Sequence, residues 1–256
     1  MERIGIQRPD PRSGSATTGA NITTIFFDVG HTLLVPAVSE GLVFSEEAAR
    51  HGVRLDAGLA DRNIAQMYEL YEQLYEQDES FWADEDRAIA IWHKMYEFLC
   101  SVSGVESSKH ADIAKSVHRR YFTADSWKAY DDVIPALECL KAQGIRMGLI
   151  SNWDSTLEDI IAGLGLASYF DVILSSTVVK LHKPMPEIFR SALAQMGVAS
   201  DKAMHVGDHL SADVEGARAV GITPVLIDRR GTVRHKLAPD TLAVSTLTEL
   251  VEYLLA

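Results

Sequence analysis

Four separate stretches of the chain end in residues that could do chemistry together. Asp28 stands near the end of the apolar run 23–29 (TTIFFDV), and Gly30, His31 and Thr32 follow it. Ser151 and Asn152 close the run 146–151 (RMGLIS) and its exit, and Lys183-Pro184 lies in the loop beyond 171–175 (DVILS). Gly207-Asp208 ends 203–207 (AMHVG), with Asp213 five residues on. Carboxylates converging on one mouth repel unless a cation or a proton relieves them. Oxygen ligands from Asp28, Asp208 and a backbone carbonyl, completed by water, suit Mg²⁺. Lys183 and the Ser151 hydroxyl, with nearby backbone N–H groups, would hold a phosphoryl group. A carboxylate is then free to attack phosphorus and form an aspartyl-phosphate. Singly, each residue has an ordinary structural reading. Asp28 is a turn residue, Ser151 a helix cap, Lys183 a solvated loop lysine, and Asp213 an acid favoured by a helix N-terminus. The set points to catalysis.

Residues so far apart in sequence meet only if the elements beneath them bring them together. Five β-rich runs (23–29, 146–151, 171–175, 203–207 and 223–228) alternate with helical periods, the pattern of a parallel sheet with crossover helices. In such a sheet, ligands bind beyond the carboxyl ends of the strands, where the strand order reverses. Helix ends are readable too. Pro135 suits a first turn that stops at Gly144, Ser155-x-x-Glu158 and Thr246-x-x-Glu249 read as capping boxes, and Pro186 opens a helix that ends at Gly197. Between the first two runs lie more than a hundred residues with helical stripes, such as Ile64, Met67, Tyr68, Tyr71 and Tyr75, or Ala88, Ile91, Trp92, Met95 and Leu99. The fold class is therefore α/β, a Rossmann-like parallel sheet core with an inserted all-helical cap subdomain. The expected division is a flexible tail at 1–20, a core at 21–35 and 126–256, and a cap of about four helices at 36–125.

FFDVGHTLL, LISNWD, HKPMPEIF and HVGDHLSADVEGARAVGI resemble, in order, the four motifs of the haloacid dehalogenase superfamily, in its phosphatase-like branch with a helical cap after the first motif. The resemblance covers roughly residues 23–255. It implies a Mg²⁺-dependent hydrolase with Asp28 as nucleophile and metal ligand, and Gly30 giving its carbonyl to the metal. Thr32, Ser151 and Asn152 would lie on the phosphate, Lys183 would balance charge, Asp208 would bind metal, and Asp213 would bind it or orient its water. The common first motif, D-x-D-x-T, uses its second Asp to protonate the leaving group and then activate water; here that position is Gly30. General acid–base help is worth about 10²–10⁴-fold, so hydrolysis is expected to be slow or limited to good leaving groups. His31 is a candidate substitute. Two further readings stand beside the phosphatase: a 2-haloacid dehalogenase, in which Asp28 attacks carbon, and a catalytically weak phosphate-binding or regulatory protein.

Composition narrows the partners. The chain has 256 residues, and 24 basic against 36 acidic side chains give a net charge of −12, which disfavours nucleic acid and anionic lipid. A small phosphorylated substrate remains, with the protein a monomer or homodimer. No run approaches the ~18 apolar residues of a membrane span, and the first twenty residues lack the apolar centre of a secretory signal; a cytoplasmic location is expected. Cys100 and Cys139 read as buried thiols. His182, His205 and His209 lack the spaced ligand sets of a zinc site. Tyr71, Tyr75, Trp82 and Trp92 read as cap packing and Trp153 as a residue beside the phosphate. The seven acids between Glu72 and Asp86 read as a solvated face that would discourage highly anionic substrates.

Overall fold

A computed structural model describes residues 22–231 and 237–256; the tail expected at 1–20 lies outside them. In chain order the elements are β1 (Thr24–Phe27), β2 (Leu34–Pro36), α1 (Glu40–Arg50), α2 (Ala57–Gln77), α3 (Glu85–Val102), α4 (His110–Arg120), β3 (Trp127–Ala129), α5 (Val133–Ala142) and β4 (Arg146–Ser151). They continue with α6 (Leu157–Gly163), β5 (Val172–Ser175), α7 (Ser176–Val179), α8 (Pro186–Met196), β6 (Ala203–Gly207), a π-helical turn (Leu210–Glu215), α9 (Gly216–Arg218), β7 (Thr223–Ile227), β8 (Leu242–Val244) and α10 (Leu247–Leu255).

Six strands form one parallel sheet in the order β5-β4-β1-β6-β7-β8. The chain runs from β1 outward through β4 and β5, then returns to the other side of β1 for β6, β7 and β8. The reversal therefore falls at β1, and the carboxyl ends of β4, β1 and β6 are neighbours there. Every residue of β1 is buried because both faces of the sheet are covered. Ile25 and Phe27 pack with Leu137, Ile160 and Leu247 of α5, α6 and α10. Phe26 points the other way, into Ile188, Phe189 and Ala192 of α8.

A second hydrophobic core belongs to the helical insert, where Phe44, Met67, Met95, Leu99, Ile113 and Val117 meet from α1, α2, α3 and α4. The insert also touches the sheet's own segment: Tyr75, Phe81 and Trp82 pack with Ala212 of the π-helical turn. Among the described residues no helix is long and apolar enough to cross a membrane.

Several local expectations change. Two short strands missing from the sequence reading, β2 and β3, pair antiparallel (Leu34↔Ala129, Pro36↔Trp127) and gather the two chain crossings that flank the helical insert. The sheet also has a sixth strand, β8. Ser155 does not open a capping box, since α6 begins at Leu157 with Thr156 before it. The Ser155 N–H and hydroxyl instead donate to Glu85 of α3, at 3.1 Å to Oε2 and 2.7 Å to Oε1. The cap at Thr246 forms as expected, with Glu249 N–H donating to its hydroxyl at 3.1 Å. Cys100 is buried, which pushes its thiol up to about 12, but Cys139 is only half-buried.

Candidate active site

Beyond the carboxyl ends of β4, β1 and β6 five predicted residues meet. Lys183, 2% exposed, places Nζ 2.7 Å from Asp28 Oδ1 and 2.6 Å from Asp213 Oδ1. Ser151, the last residue of β4, donates its hydroxyl to the same Asp28 oxygen at 3.0 Å. Oxygens of Asp28, Asp208 and Asp213 lie within 4.8 Å of one another. That spread is close to the ~4.2 Å between opposite ligands of an octahedral Mg²⁺ at about 2.1 Å per bond. Donor chemistry and spacing both fit a hard divalent cation.

The local backbone is built for this approach. A β-carbon on Gly207 would stand 2.2 Å from Asp213 Cγ, so only glycine lets the end of β6 abut that carboxylate. The π-helical turn that follows brings Asp213 back beneath the site, with its N–H donating to the His209 carbonyl at 2.9 Å; such turns are frequent at functional sites. Asp213 is then fully engaged. His205 Nε2 lies 2.9 Å from Oδ1, and the His209 N–H donates to Oδ2 at 3.0 Å. Burial opposes its ionisation, but Lys183 and His205 outweigh this and hold the Asp213 carboxyl below the usual carboxylate range. The same balance applies to Lys183, where burial works against the charge and Asp213 and Asp28 more than offset it, raising its pKa. Asp208 is the opposite case. Burial, then Asp28, then Asp213 all push its carboxyl well above its ordinary value, because the one ammonium is spent on the other two acids.

Asn152 lines the cavity and uses its side chain on the backbone of Lys183. Its side-chain oxygen accepts from the Lys183 N–H at 2.8 Å and its amide donates to the Lys183 carbonyl at 2.9 Å, so it fixes the lysine's backbone. Thr32 does not reach the cavity. It is fully buried, is absent from the cavity wall, and its carbonyl accepts from Arg229 Nη2 at 2.7 Å. Gly30 and His31 do line the cavity. His31 adopts a left-handed backbone, φ 55°, and burial, followed by Arg230, lowers its imidazole to about 4.

The cavity holds about 350 Å³ between the sheet end and the helical insert. Trp153 lines it, and so do Tyr71, Tyr75, Trp82 and Trp92, for which the sequence reading favoured cap packing over a substrate platform. They do pack, Tyr71 on Trp92 for example with planes 18° apart, yet the same face of the insert also forms the cavity wall. The acidic run is not simply a solvated face. Glu72 sits 3.7 Å from His209 Nε2, and Glu85 accepts from Ser155 and from the Thr177 hydroxyl. Tyr75, which donates to the Lys183 carbonyl at 3.2 Å, is a contact from the insert to the site that periodicity gave no means of finding.

Residues 22–221 match the model of the haloacid dehalogenase-like hydrolases. The chain belongs to that family. Among curated relatives, haloacid dehalogenase-like hydrolase domain-containing protein 3 of Danio rerio is 28% identical over 235 residues, covering 88% of this chain and 93% of that one. A glyceraldehyde 3-phosphate phosphatase of Methanopyrus kandleri is 28% identical over 219 residues, covering 82% and 85%. The crystal structure of a HAD phosphatase from Thermococcus onnurineus superposes with a TM-score of 0.59 at 26% identity, covering 91% of this chain and 98% of that one. This HAD hydrolase holds an acidic cluster of Asp28, Asp208 and Asp213 at the sheet end and a glycine at position 30.

Proposed function

We propose that the protein is a phosphatase acting on a small phosphorylated molecule through an aspartyl-phosphate on Asp28. The observation that carries this reading is the clamp on one Asp28 oxygen, held by Lys183 Nζ at 2.7 Å and Ser151 Oγ at 3.0 Å beside Asp208 and Asp213. The clamp fixes the carboxylate plane and leaves the second oxygen to attack phosphorus in line with the leaving alcohol. Ser151 and Lys183 then serve the equatorial phosphoryl oxygens, while Asn152 positions the lysine. Water attacks phosphorus in the second step, releasing phosphate and restoring Asp28. Mg²⁺ would be held by Asp28, Asp208 and the Gly30 carbonyl, with Asp213 orienting the surrounding groups, and when bound it supplies neutralisation of the carboxylates and of the phosphoryl charge. The helical insert, residues 36–125, acts as the cap that closes the cavity and selects the substrate.

Position 30 supplies no proton, and an imidazole at about 4 is neutral near pH 7, so His31 is not a general acid there. The reaction is correspondingly expected to favour good leaving groups. The same glycine motivates the rival of a phosphate-binding protein with little turnover. The dehalogenase reading leaves the Asp208 carboxylate without a task. Phosphate release from an aryl phosphate, with and without Mg²⁺, tests the proposal. Turnover should require the cation and vanish in Asp28→Asn; activity that persists in the variant would remove Asp28 as nucleophile, and activity that survives chelation would remove the cation.

A further inference from the structure

The wall of the cavity indicates what the phosphate is attached to. Tyr71, Trp92, Tyr96 and Tyr121 form a row in which neighbouring planes lie 18°, 23° and 3° apart, with centroids 6.2–6.5 Å apart. All four line the cavity. Several polar atoms of the aromatic wall are spent on the protein itself. Trp82 Nε1 donates to the Tyr71 hydroxyl at 3.0 Å, Tyr68 to Glu40 at 2.7 Å, and Tyr75 to the Lys183 carbonyl. Trp127 Nε1 donates to the Tyr121 carbonyl at 3.0 Å, and Trp153 Nε1 to Thr156 at 3.3 Å. Hydroxyls of a sugar or polyol would lose water here and find few replacements, which is costly. A flat apolar ring loses little on leaving water and gains contact with aromatic faces.

The Tyr121 hydroxyl and His118 Nε2, three residues apart at the end of α4, are buried without a hydrogen-bond partner and closed off from the cavity surface. They add no exposed polar atom to the aromatic wall.

Resting on the phosphatase reading above, we infer that the substrate is a phosphomonoester whose alcohol half carries a planar aromatic group, and not a sugar or polyol phosphate. The test compares 2-phenylethyl phosphate with glycerol 3-phosphate in the presence of Mg²⁺, since both release a primary alcohol and neither offers an easy leaving group. The aromatic ester should have a kcat/KM at least about tenfold higher, the scale on which an apolar pocket discriminates, with most of the difference in KM. Trp92→Leu should shrink that ratio at least about threefold. In parallel, binding of 2-phenylethylphosphonate and 2,3-dihydroxypropylphosphonate to Asp28→Asn reads the cavity without turnover.

Phosphate release from both esters with glycerol 3-phosphate equal or better would overturn the aromatic assignment and leave the phosphatase standing. Release from neither ester follows from the missing acid at position 30 if an aryl phosphate is still cleaved, and removes the phosphatase reading if it is not; in both cases the phosphonates decide. Tighter binding of the aromatic phosphonate supports the assignment; equal binding, or none, overturns it.

Discussion

Replacing Asp208 with Asn should stabilise the cation-free protein, an unusual direction for a substitution at a catalytic centre. Oxygens of Asp28, Asp208 and Asp213 lie within 4.8 Å, and Lys183 is the ammonium that pairs with two of them. Two like charges at that separation repel by about 3.5 kcal/mol at an effective dielectric of about 20. Asp208 faces two such neighbours, and Lys183 cancels roughly one of them. Water reaches the half-buried Asp208 carboxylate and screens part of the remainder, which brings the expected gain to about 1–2 kcal/mol. The pH dependence has a definite sign. The folded state raises the Asp208 pKa above 3.8, so between the unfolded and folded values the folded protein holds more protons and stability falls as pH rises. The advantage of the variant should therefore vanish near pH 4 and grow as pH rises. Urea denaturation followed by tryptophan fluorescence in EDTA measures it. Added Mg²⁺ should reverse the order, because a ligand at about 100 times its Kd contributes about 2.7 kcal/mol to the wild type and far less to the variant. A variant less stable than wild type in EDTA at pH 8, or one stabilised equally by Mg²⁺, would refute the electrostatic reasoning.

Three other expectations concern separate parts of the molecule. A β-carbon at position 30 would meet Trp153 Cζ3 at 3.5 Å, an ordinary contact, so Gly30→Asp should be accommodated and raise kcat on alkyl phosphates by about 10²-fold or more, with a smaller change on aryl phosphates; stopped assays on the two ester classes compare them. Burial, followed by His93, lowers His118 to about 4, so it contributes stability above the unfolded value of 6.5 that is lost as pH falls towards 4. Wild type should lose roughly 3 kcal/mol more than His118→Gln between pH 7 and pH 4, and denaturation curves at the two pH values will show whether the gap closes. Glu85 ties α3 to Ser155 and Thr177, so Glu85→Ala should weaken closure of the cap by about 1–2 kcal/mol, seen as a roughly tenfold rise in KM and faster hydrogen exchange at the start of α3.

Much of this was legible because buried parallel strands leave a plain trace. β1, β4 and β6 are short apolar runs covered on both faces, and the polar residues that end or follow them, Asp28, Ser151 and Asp208, had to stand at the mouth of the sheet. The pairing of β2 with β3 was not legible, since three-residue strands from opposite ends of a helical insert have no period to read. Ser155 misled for a related reason: a local capping pattern lost to Glu85, which arrives from a distant helix. Asn152 and Thr32 sit in the expected motifs, but sequence position does not say where a polar atom points: the Asn152 side chain holds the Lys183 backbone, and the Thr32 hydroxyl is buried away from the cavity wall without a partner. The aromatic stripe shows the same limit. A 3.6-residue period identifies one face of α2 and α3, and it cannot tell that this face serves a helical core and a cavity at once.

The central claim is that phosphorus becomes bonded to Asp28. Acid-quenching the protein during turnover of an aryl phosphate with Mg²⁺, followed by peptide mass spectrometry, tests this directly. The account predicts a hydroxylamine-labile phosphoryl adduct on the peptide containing Asp28, absent from Asp28→Asn. Rapid phosphate release with no adduct on that peptide, or an adduct on another side chain, would contradict it.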